Sequence, residues 1–360
     1  MKRRSIALLA GLALALAGAL SSSALAFSSG ERSAPRGTIW VADEGSNSLT
    51  VIDAATRKVV TTLSGIVAPH NVQVSTDGRS IWAVSGPEML AVRIDARTYR
   101  LAGTVKTGEH PAHIVVTPDG ARAFVTNAGD NTLTAIDVAR MKPIAAIPVG
   151  RFPHGLRPSP DGRWLLIANT NATTVSLVDA RLLRRVADIE IGRKPVQVAF
   201  EPSGRFAYVS LNAEDAVAKI DLGKRRAVGK STVGKGPIQI FVSPDGKYLV
   251  VANQGTEQKP SRTVSLIDTA TFSVVATIAS GAGAHGVAID AASRYAYITN
   301  TFAGNVSVID LAQRQVVARI PVGKEPGGIS FSPLAPSKAP ARVIRLPLPK
   351  MSGSMPDMKG

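Results

Sequence analysis

Short runs of apolar residues alternate with tight turns along almost the whole chain, and no segment after the N-terminal leader shows the 3.6-residue period of an amphipathic helix. Within a run, apolar and polar residues alternate, as in Val306–Asp310, which predicts half-buried β-strands. Pro-Asp-Gly triplets such as Pro118–Gly120 separate the runs. Because proline presets φ and glycine accepts positive φ, these triplets predict hairpin turns. The chain is therefore predicted to be all-β.

The strand pattern repeats at a nearly constant interval. Successive repeats are 42 residues apart, except for one interval of 47 whose extra residues fall within the polar stretch 254–263. Four short antiparallel strands in a period of about 40 residues describe one blade of a β-propeller. The repeat is marked most clearly by an apolar residue followed by aspartate at the end of the third strand, at Asp53, Asp95, Asp137, Asp179, Asp221, Asp268 and Asp310.

The two ends of the repeat complete each other. The first period lacks an opening strand, since residues 38–43 already match the second strand, and the last period supplies only an opening strand at 328–332. Joining them predicts a seven-bladed β-propeller of four-stranded antiparallel blades, closed by pairing of N- and C-terminal strands in one blade. Such closure leaves no unpaired edge between the first and last blades. Loss of 323–360 should then be severe, whereas loss of 336–360 alone should hardly matter.

The strands ending in Asn resemble the YVTN family of β-propeller repeats, with Phe124–Asn127 and Tyr297–Asn300 as the clearest copies beside the Ser-Pro-Asp-Gly turns. The resemblance covers about residues 38–333 by period. It implies kinship with exported and surface-layer proteins, lactonases and the cytochrome propeller of nitrite reductase. Because related propellers differ in activity, the resemblance implies a fold more firmly than a function.

The N-terminus has the three parts of a secretory signal. Basic residues Lys2–Arg4 precede the apolar run Ile6–Leu20, and Ala24–Ala26 supplies the small-x-small cleavage pattern. We expect cleavage after Ala26 and a soluble, monomeric protein in the periplasm or outside the cell, with no transmembrane segment in the mature chain. The predicted organisation is a signal peptide at 1–26, a flexible segment at 27–37, the propeller at 38–333 and a Pro/Met-rich extended tail at 334–360.

The amino-acid composition excludes several kinds of site and indicates the kind of partner. The chain has no cysteine, which excludes disulfides, thiolate metal sites, a thiol nucleophile and covalent c-type haem attachment. The formal charge is +16, and three of these charges lie in the leader. Such a basic surface attracts acidic partners. Because we expect the chain to be exported and its cations are scattered at turns, we expect a protein partner or an anionic small molecule or polymer, and no nucleic acid.

Candidate ligand-binding residues collect in the loops that join strand four of one blade to strand one of the next. These loops and the strand two-to-three loops share one end of the propeller, here called the top face; the Pro-Asp-Gly turns lie at the bottom face. Strand alternation predicts that His113, one position further along than the other three histidines, points the opposite way. The candidates are His70, His113, His154, His285, Arg151, Arg193, Lys235 and Lys324.

Three functional hypotheses remain open. The leading one is a non-catalytic exported propeller that acts as a binding or scaffold module for a partner or anionic ligand on its top face. The alternative is a lactonase-like or metal-assisted hydrolase at the central channel, drawing on Glu109 with His113 or His154. A carboxylate and a histidine within hydrogen-bond reach at the channel mouth would favour this enzyme.

The third hypothesis is periplasmic metal handling, with copper as the cofactor. It would use either the ring of top-face histidines or the methionines of the tail, since thioether sulfur suits Cu(I). The tail methionines are Met351, Met355 and Met358. A low-complexity tail without a ligand is the simpler interpretation of those three residues, and the sequence selects no catalytic residue.

Overall fold

The computed structural model describes residues 35–349. Over this range the chain forms 29 strands, numbered here in chain order, and two 3-10 turns at Glu44–Ser46 and Asn212–Glu214. The first three strands are β1 (Thr38–Asp43), β2 (Ser48–Asp53) and β3 (Lys58–Ser64). No helix in the described part of the chain has the length and apolar character needed to cross a membrane.

Six blades of four consecutive strands follow. Blades 1 and 2 comprise β4 (Pro69–Val74), β5 (Ser80–Ser85), β6 (Leu90–Asp95), β7 (Leu101–Lys106), β8 (Pro111–Val116), β9 (Arg122–Asn127), β10 (Thr132–Asp137) and β11 (Lys142–Pro148). Blades 3 and 4 comprise β12 (Pro153–Pro158), β13 (Trp164–Asn169), β14 (Thr174–Asp179), β15 (Arg184–Glu190), β16 (Pro195–Phe200), β17 (Phe206–Leu211), β18 (Ala216–Asp221) and β19 (Arg226–Thr232). Blades 5 and 6 comprise β20 (Pro237–Val242), β21 (Tyr248–Gly255), β22 (Pro260–Asp268), β23 (Ser273–Ala279), β24 (Ala284–Ile289), β25 (Tyr295–Asn300), β26 (Asn305–Asp310) and β27 (Gln315–Pro321).

The seventh blade combines both ends of the described chain, as predicted. Strand β28 (Pro326–Ser332) pairs antiparallel with β1, and the sheet order is β28-β1-β2-β3-β29. The fifth strand, β29 (Val343–Arg345), pairs in parallel with the outer strand β3. The innermost strands of neighbouring blades contact one another around a closed ring. The all-β fold with seven blades is therefore confirmed for residues 35–349.

The apolar core is divided among the seven junctions between blades. Each buried cluster joins two neighbouring sheets. In one of them, Trp82 of blade 1 packs against Ala123 and Val125 of blade 2. Both faces of each sheet are thus covered, because the alternating side chains of a strand point to opposite faces. The surfaces left for ligands are the two ends of the propeller and the central channel.

The repeated polar residues serve the backbone. All seven aspartates at the ends of the third strands accept backbone N–H bonds from the following turn, as Asp95 does from Arg97 and Thr98 at 3.0 and 2.8 Å. The strand-two asparagines donate to hydroxyls of strand three, as Asn127 does to Thr132 and Thr134. Both sets of repeated residues therefore stabilise the turns and strand pairing of the blades.

The tail is attached to the propeller through residues that the repeat pattern does not mark. Leu346 is 3% exposed and packs in the cluster between blades 7 and 1. Tyr99 Oη donates to the carbonyl of Ser337 at 2.8 Å, and Thr61 Oγ1 donates to the carbonyl of Ala341 at 2.8 Å. The expectation that 336–360 contribute little to stability therefore has to be revised. The three tail methionines lie outside the described residues.

Candidate metal site in the central channel

Four histidines from four different blades converge at the top of the channel. The ring centroid of His70 lies 5.5 Å from that of His113, 5.3 Å from that of His154 and 5.9 Å from that of His285. The rings of His113 and His154 are closer still, at 4.5 Å. One ring nitrogen each of His70, His113 and His154 lie within 4.8 Å of one another. The fifth histidine, His110, is exposed in its loop.

The prediction that His113 faces away from the other histidines is wrong, and a β-bulge explains why. Pro111 is opposite Asn127 and Ile114 is opposite Val125, so two residues of β8 face the single Thr126 of β9. A bulge of this kind interrupts strict alternation and re-aims the side chains next to it. The backbone N–H of His113 donates to Thr126 Oγ1 at 3.0 Å instead of to the strand ladder.

Close packing beside the cluster depends on a glycine. A Cβ atom on Gly155, the residue after His154, would lie 2.4 Å from Gln197 Oε1. Glycine at this position therefore lets Gln197 approach, and Gln197 in turn places its amide nitrogen 3.5 Å from His113 Nδ1. The glycine at position 155 of strand β12 therefore serves close packing.

The tautomers of two histidines are set by acceptors on their outer nitrogens. Glu44 Oε2 lies 2.9 Å from His70 Nδ1, and the carbonyl oxygen of Val196 lies 3.3 Å from His154 Nδ1. Carboxylate and carbonyl oxygens only accept, so each Nδ1 carries the proton and each neutral ring has its lone pair on Nε2. The two Nε2 atoms face each other at 3.2 Å. Two facing lone pairs repel unless a proton or a cation lies between them.

Each of the remaining two histidines has one ring nitrogen beside a glutamine amide and the other without a partner among the described residues. Nε2 of His113 and Nε2 of His285 are both buried and have no hydrogen-bond partner among residues 35–349. His285 Nδ1 lies 3.1 Å from Gln254 Nε2, and Gln254 belongs to the extended β21–β22 hairpin that contains the five-residue insertion. An amide nitrogen only donates, so Gln197 and Gln254 favour the tautomers of His113 and His285 that carry the proton on Nε2, and a metal ion at either Nε2 requires the other tautomer.

The electrostatics lower the pKa of His113, His154 and His285 and so favour their neutral form. Burial, followed by the charges of the neighbouring histidines, lowers the pKa of His154 to about 3 and of His285 to about 3. Burial and the charges of His154, His70 and Arg157 also hold the pKa of His113 well below its usual value. Burial opposes ionisation of Glu44, but the hydrogen bond and charge of His70 outweigh it and lower the pKa of that carboxyl. Neutral imidazoles are the form that binds metal ions.

The four cations predicted for the top face do not join this cluster. Arg151, Arg193, Lys235 and Lys324 are all exposed in their loops. Lys235 Nζ lies 2.7 Å from Asp215, and Arg193 Nε lies 3.9 Å from Glu214. Two of the four cations therefore have acidic partners on the propeller itself. The Glu109 side chain, expected near His113 or His154, is likewise on an exposed loop.

Sequence reasoning missed two residues of the channel. Glu44 was one of many top-face carboxylates, and nothing in its spacing related it to His70. Arg157 lies on the innermost strand β12, where the equivalent positions of the other blades carry Gln73, Val115, Ala199, Phe241, Ala288 and Ser330. Arg157 is the single charged residue among these seven aligned positions, and an alignment of the blades would therefore have identified it from the sequence.

These features define a seven-bladed propeller whose channel is lined at the top by imidazoles. Over residues 32–294 the sequence matches the model of the YNCE-like β-propeller family, and the chain belongs to that family. The predicted resemblance to YVTN-type propellers is thereby confirmed. Comparison with curated proteins finds no match.

Solved structures with the same fold carry different chemistry. Hydrazine synthase from Kuenenia stuttgartiensis is 24% identical, with a TM-score of 0.66 over 74% of this chain and 90% of that one. The dihydro-heme d1 dehydrogenase NirN is 17% identical, with a TM-score of 0.62 over 82% and 75%. A candidate 6-phosphogluconolactonase from Bacteroides fragilis is 17% identical, with a TM-score of 0.69 over 83% and 99%. At this identity the likeness concerns the fold alone.

Proposed function

We propose that this chain is an exported binding module whose ligand is a first-row transition-metal ion, held by His70, His113 and His154 at the top of the channel. The observation that supports it best is the pair of Nε2 atoms 3.2 Å apart, each fixed as a lone-pair donor by its Nδ1 partner. Two imidazole nitrogens on one tetrahedral Zn²⁺, with bonds of about 2.05 Å, lie about 3.3 Å apart. Imidazole suits Zn, Cu, Ni and Fe.

The surroundings of the histidines support the same proposal. Metal-bound histidines nearly always donate their other ring N–H to a carboxylate or a backbone carbonyl, which fixes the ring and raises its basicity. Glu44 and the Val196 carbonyl occupy those positions for His70 and His154. The ring of His285 lies beside that of His70, with the two centroids 5.9 Å apart. The proposal thus takes up the third hypothesis, metal handling through the histidine ring, in place of the leading hypothesis of an anionic ligand or a partner.

The test is metal binding by the mature chain, measured by calorimetry with Cu²⁺ and Zn²⁺ as separate probes. The proposal expects one ion per chain and loss of that binding in His154→Ala and in His113→Ala. His110→Ala is the matched control, because this exposed histidine lies outside the cluster. Binding that survives both cluster substitutions, or that His110→Ala abolishes, would overturn the proposal.

A metal-assisted hydrolase at the same position is the second candidate, since a carboxylate and a histidine do meet at the channel mouth. Three protein nitrogens on a metal leave a coordination position for water, as in catalytic zinc sites. Glu44, however, contacts the ring nitrogen that faces away from the cluster, which is an orienting position. Turnover of a chromogenic lactone by the metal-loaded protein, lost in His154→Ala, would favour the hydrolase.

Export completes the proposal and rests on the leader, which lies outside the described residues. Cleavage after Ala26 would release a chain starting at Phe27 into the periplasm or the medium. Mass spectrometry of the exported protein tests this; retention of the apolar run Ile6–Leu20 would contradict it. Met351, Met355 and Met358 remain a proposed second copper ligand set, tested by Cu(I) binding to a chain ending at residue 350.

A further inference from the structure

The bottom mouth of the channel contains a small cavity that the proposed metal site does not use. Its volume is about 260 Å³, and the inner strands of blades 1 to 5 contribute its walls. The walls are largely apolar, with Val74, Val116, Phe200, Phe241 and Val242 among them. This volume is just below the range of ~300–1,000 Å³ that is usual for ligand pockets, so the cavity suits a small molecule.

Arg157 brings a positive charge into this apolar cavity. Its guanidinium donates to the carbonyl oxygen of Leu156 at 3.2 Å and lies 5.8 Å from the ring centroid of Phe241. Within residues 35–349 no carboxylate oxygen lies within 4 Å of it. A guanidinium has five N–H donors in a planar fork that matches a carboxylate, and most of those donors are available here.

The acidic residues at this end of the channel are already bound to their own turns. Asp161 Oδ1 accepts from Ser159 Oγ at 2.5 Å and from the backbone N–H of Arg163 at 3.1 Å. Asp77 and Asp119 make the same pair of contacts in the turns of blades 1 and 2. These carboxylates are therefore fixed by turn geometry and do not neutralise Arg157.

We propose that the bottom mouth binds a small organic carboxylate, with its carboxylate on the Arg157 guanidinium and its apolar body between Phe200 and Phe241. A charge that is partly removed from water needs a partner or pays a solvation penalty, and an anionic ligand supplies that partner. Consistent with this, burial lowers the pKa of Arg157 to about 10. The apolar walls favour an organic anion over an inorganic oxyanion, because they would gain contacts only with a carbon skeleton.

This site is independent of the metal proposal, and the experiment is designed to keep them apart. Benzoate is the probe, and benzamide is its uncharged analogue of the same shape. Binding is measured by calorimetry on the mature chain in buffer containing a chelator, so that a metal ion at the histidines cannot bind the carboxylate. The variants are Arg157→Gln and Arg157→Lys. Arg163→Gln is the matched control, since Arg163 is an exposed arginine of the same face that stacks on Trp164.

We expect benzoate to bind the wild-type chain and Arg163→Gln alike, and Arg157→Gln about tenfold or more weakly. Arg157→Lys should fall between them, because an ammonium keeps the charge and loses the fork. Benzamide and inorganic phosphate should both bind more weakly than benzoate. Equal benzoate affinity in wild type and Arg157→Gln, benzamide binding as well as benzoate, or no benzoate binding at millimolar concentration would each overturn the proposal.

A second measurement covers the case in which Arg157→Gln does not fold. NMR spectra of the wild-type chain titrated with benzoate should show the ring signals of Phe200 and Phe241 moving first. Shifts confined to the top-face histidines would contradict the proposed site.

Discussion

The Nε2 atoms of His70 and His154 lie 3.2 Å apart, although the two residues are separated by 84 positions and belong to blades 1 and 3. Only a closed propeller brings such distant repeats to one axis, because the innermost strand of every blade faces the channel. Each ring is held from behind, His70 by Glu44 and His154 by the Val196 carbonyl. In the proposed metal site, the lone pairs of both Nε2 atoms would therefore face the same ion.

The first prediction concerns Glu44 as a positioning residue for His70. Glu44→Gln should lower the affinity of the site for Zn²⁺ or Cu²⁺ about 10- to 100-fold, the range usual for loss of an outer carboxylate. The fold should be unaffected, since Glu44 is 40% exposed. Calorimetric titration of the variant with each metal measures the effect.

Glu109→Gln is the matched control, because it removes the same charge from an exposed top-face loop without contact to the cluster. Equal loss of metal affinity in both variants would mean that Glu44 acts only through its contribution to the electrostatic potential of the top face, and not by positioning His70.

The second prediction follows from Asp43, which occupies the strand-two position where four of the other six blades carry asparagine. Its carboxylate accepts from Thr50 Oγ1 at 2.6 Å and from the Gly323 N–H at 3.1 Å. Burial raises the pKa of Asp43 to about 6, from 3.8. Asparagine supplies the same acceptor and an N–H₂ donor without a buried charge, so Asp43→Asn should stabilise the protein by about 1–3 kcal/mol at pH 7.

The sign of the pH dependence is fixed by that raised pKa. Above about pH 6 the carboxyl is ionised in both folded and unfolded chains, and the full penalty of burying the charge is present. As the pH falls through 6 towards 3.8 the penalty disappears, since the folded state takes up its proton first. The gain from Asp43→Asn, measured by urea unfolding, should therefore vanish near pH 4. Asn300→Asp, the reverse change in blade 6, should destabilise at pH 7; a pH-independent gain in Asp43→Asn would contradict the explanation.

The fold could be predicted from the sequence because each blade repeats the same strand pattern and the same turn residues. The aspartate at the end of strand three and the glycine of each Pro-Asp-Gly turn are fixed by backbone geometry, so they recur at a constant interval. The pairing of the N- and C-terminal strands could be predicted because the first period lacks an opening strand and the last period supplies only that strand. The channel could be predicted only in part, since its residues are the ones that differ between blades.

Three channel and tail features had no regular signal. The aim of His113 depends on a bulge opposite Thr126, which alternation does not reveal. Glu44 reaches His70 across the junction of blades 7 and 1, a contact between residues in different repeats. Strand β29 is three residues long and has no counterpart in any other blade, so a repeat-based analysis treats its segment as tail.

The third prediction concerns that tail. Leu346 is 3% exposed and fills the junction between blades 7 and 1, whereas Val343 in the adjoining strand is 62% exposed. Leu346→Ala should lower the free energy of unfolding by about 2–4 kcal/mol, because it removes buried methyl groups and leaves a cavity. Val343→Ala should change it by less than about 0.5 kcal/mol. Equal effects in urea unfolding would show that the tail does not pack on the propeller in solution.

The last prediction tests closure of the ring by β28. A chain ending at residue 322 loses the innermost strand of blade 7, which exposes the edge of β1 and opens the junctions with blades 6 and 1. Such a chain should lose cooperative unfolding or aggregate, because an open inner edge is available for pairing with another chain. A chain ending at residue 335 keeps β28 but loses β29, Leu346 and the tail's hydrogen bonds to Tyr99 and Thr61, so it should unfold cooperatively at a lower temperature than the full chain. Calorimetric scans of the two truncations measure the difference, and similar behaviour of both would contradict closure through β28.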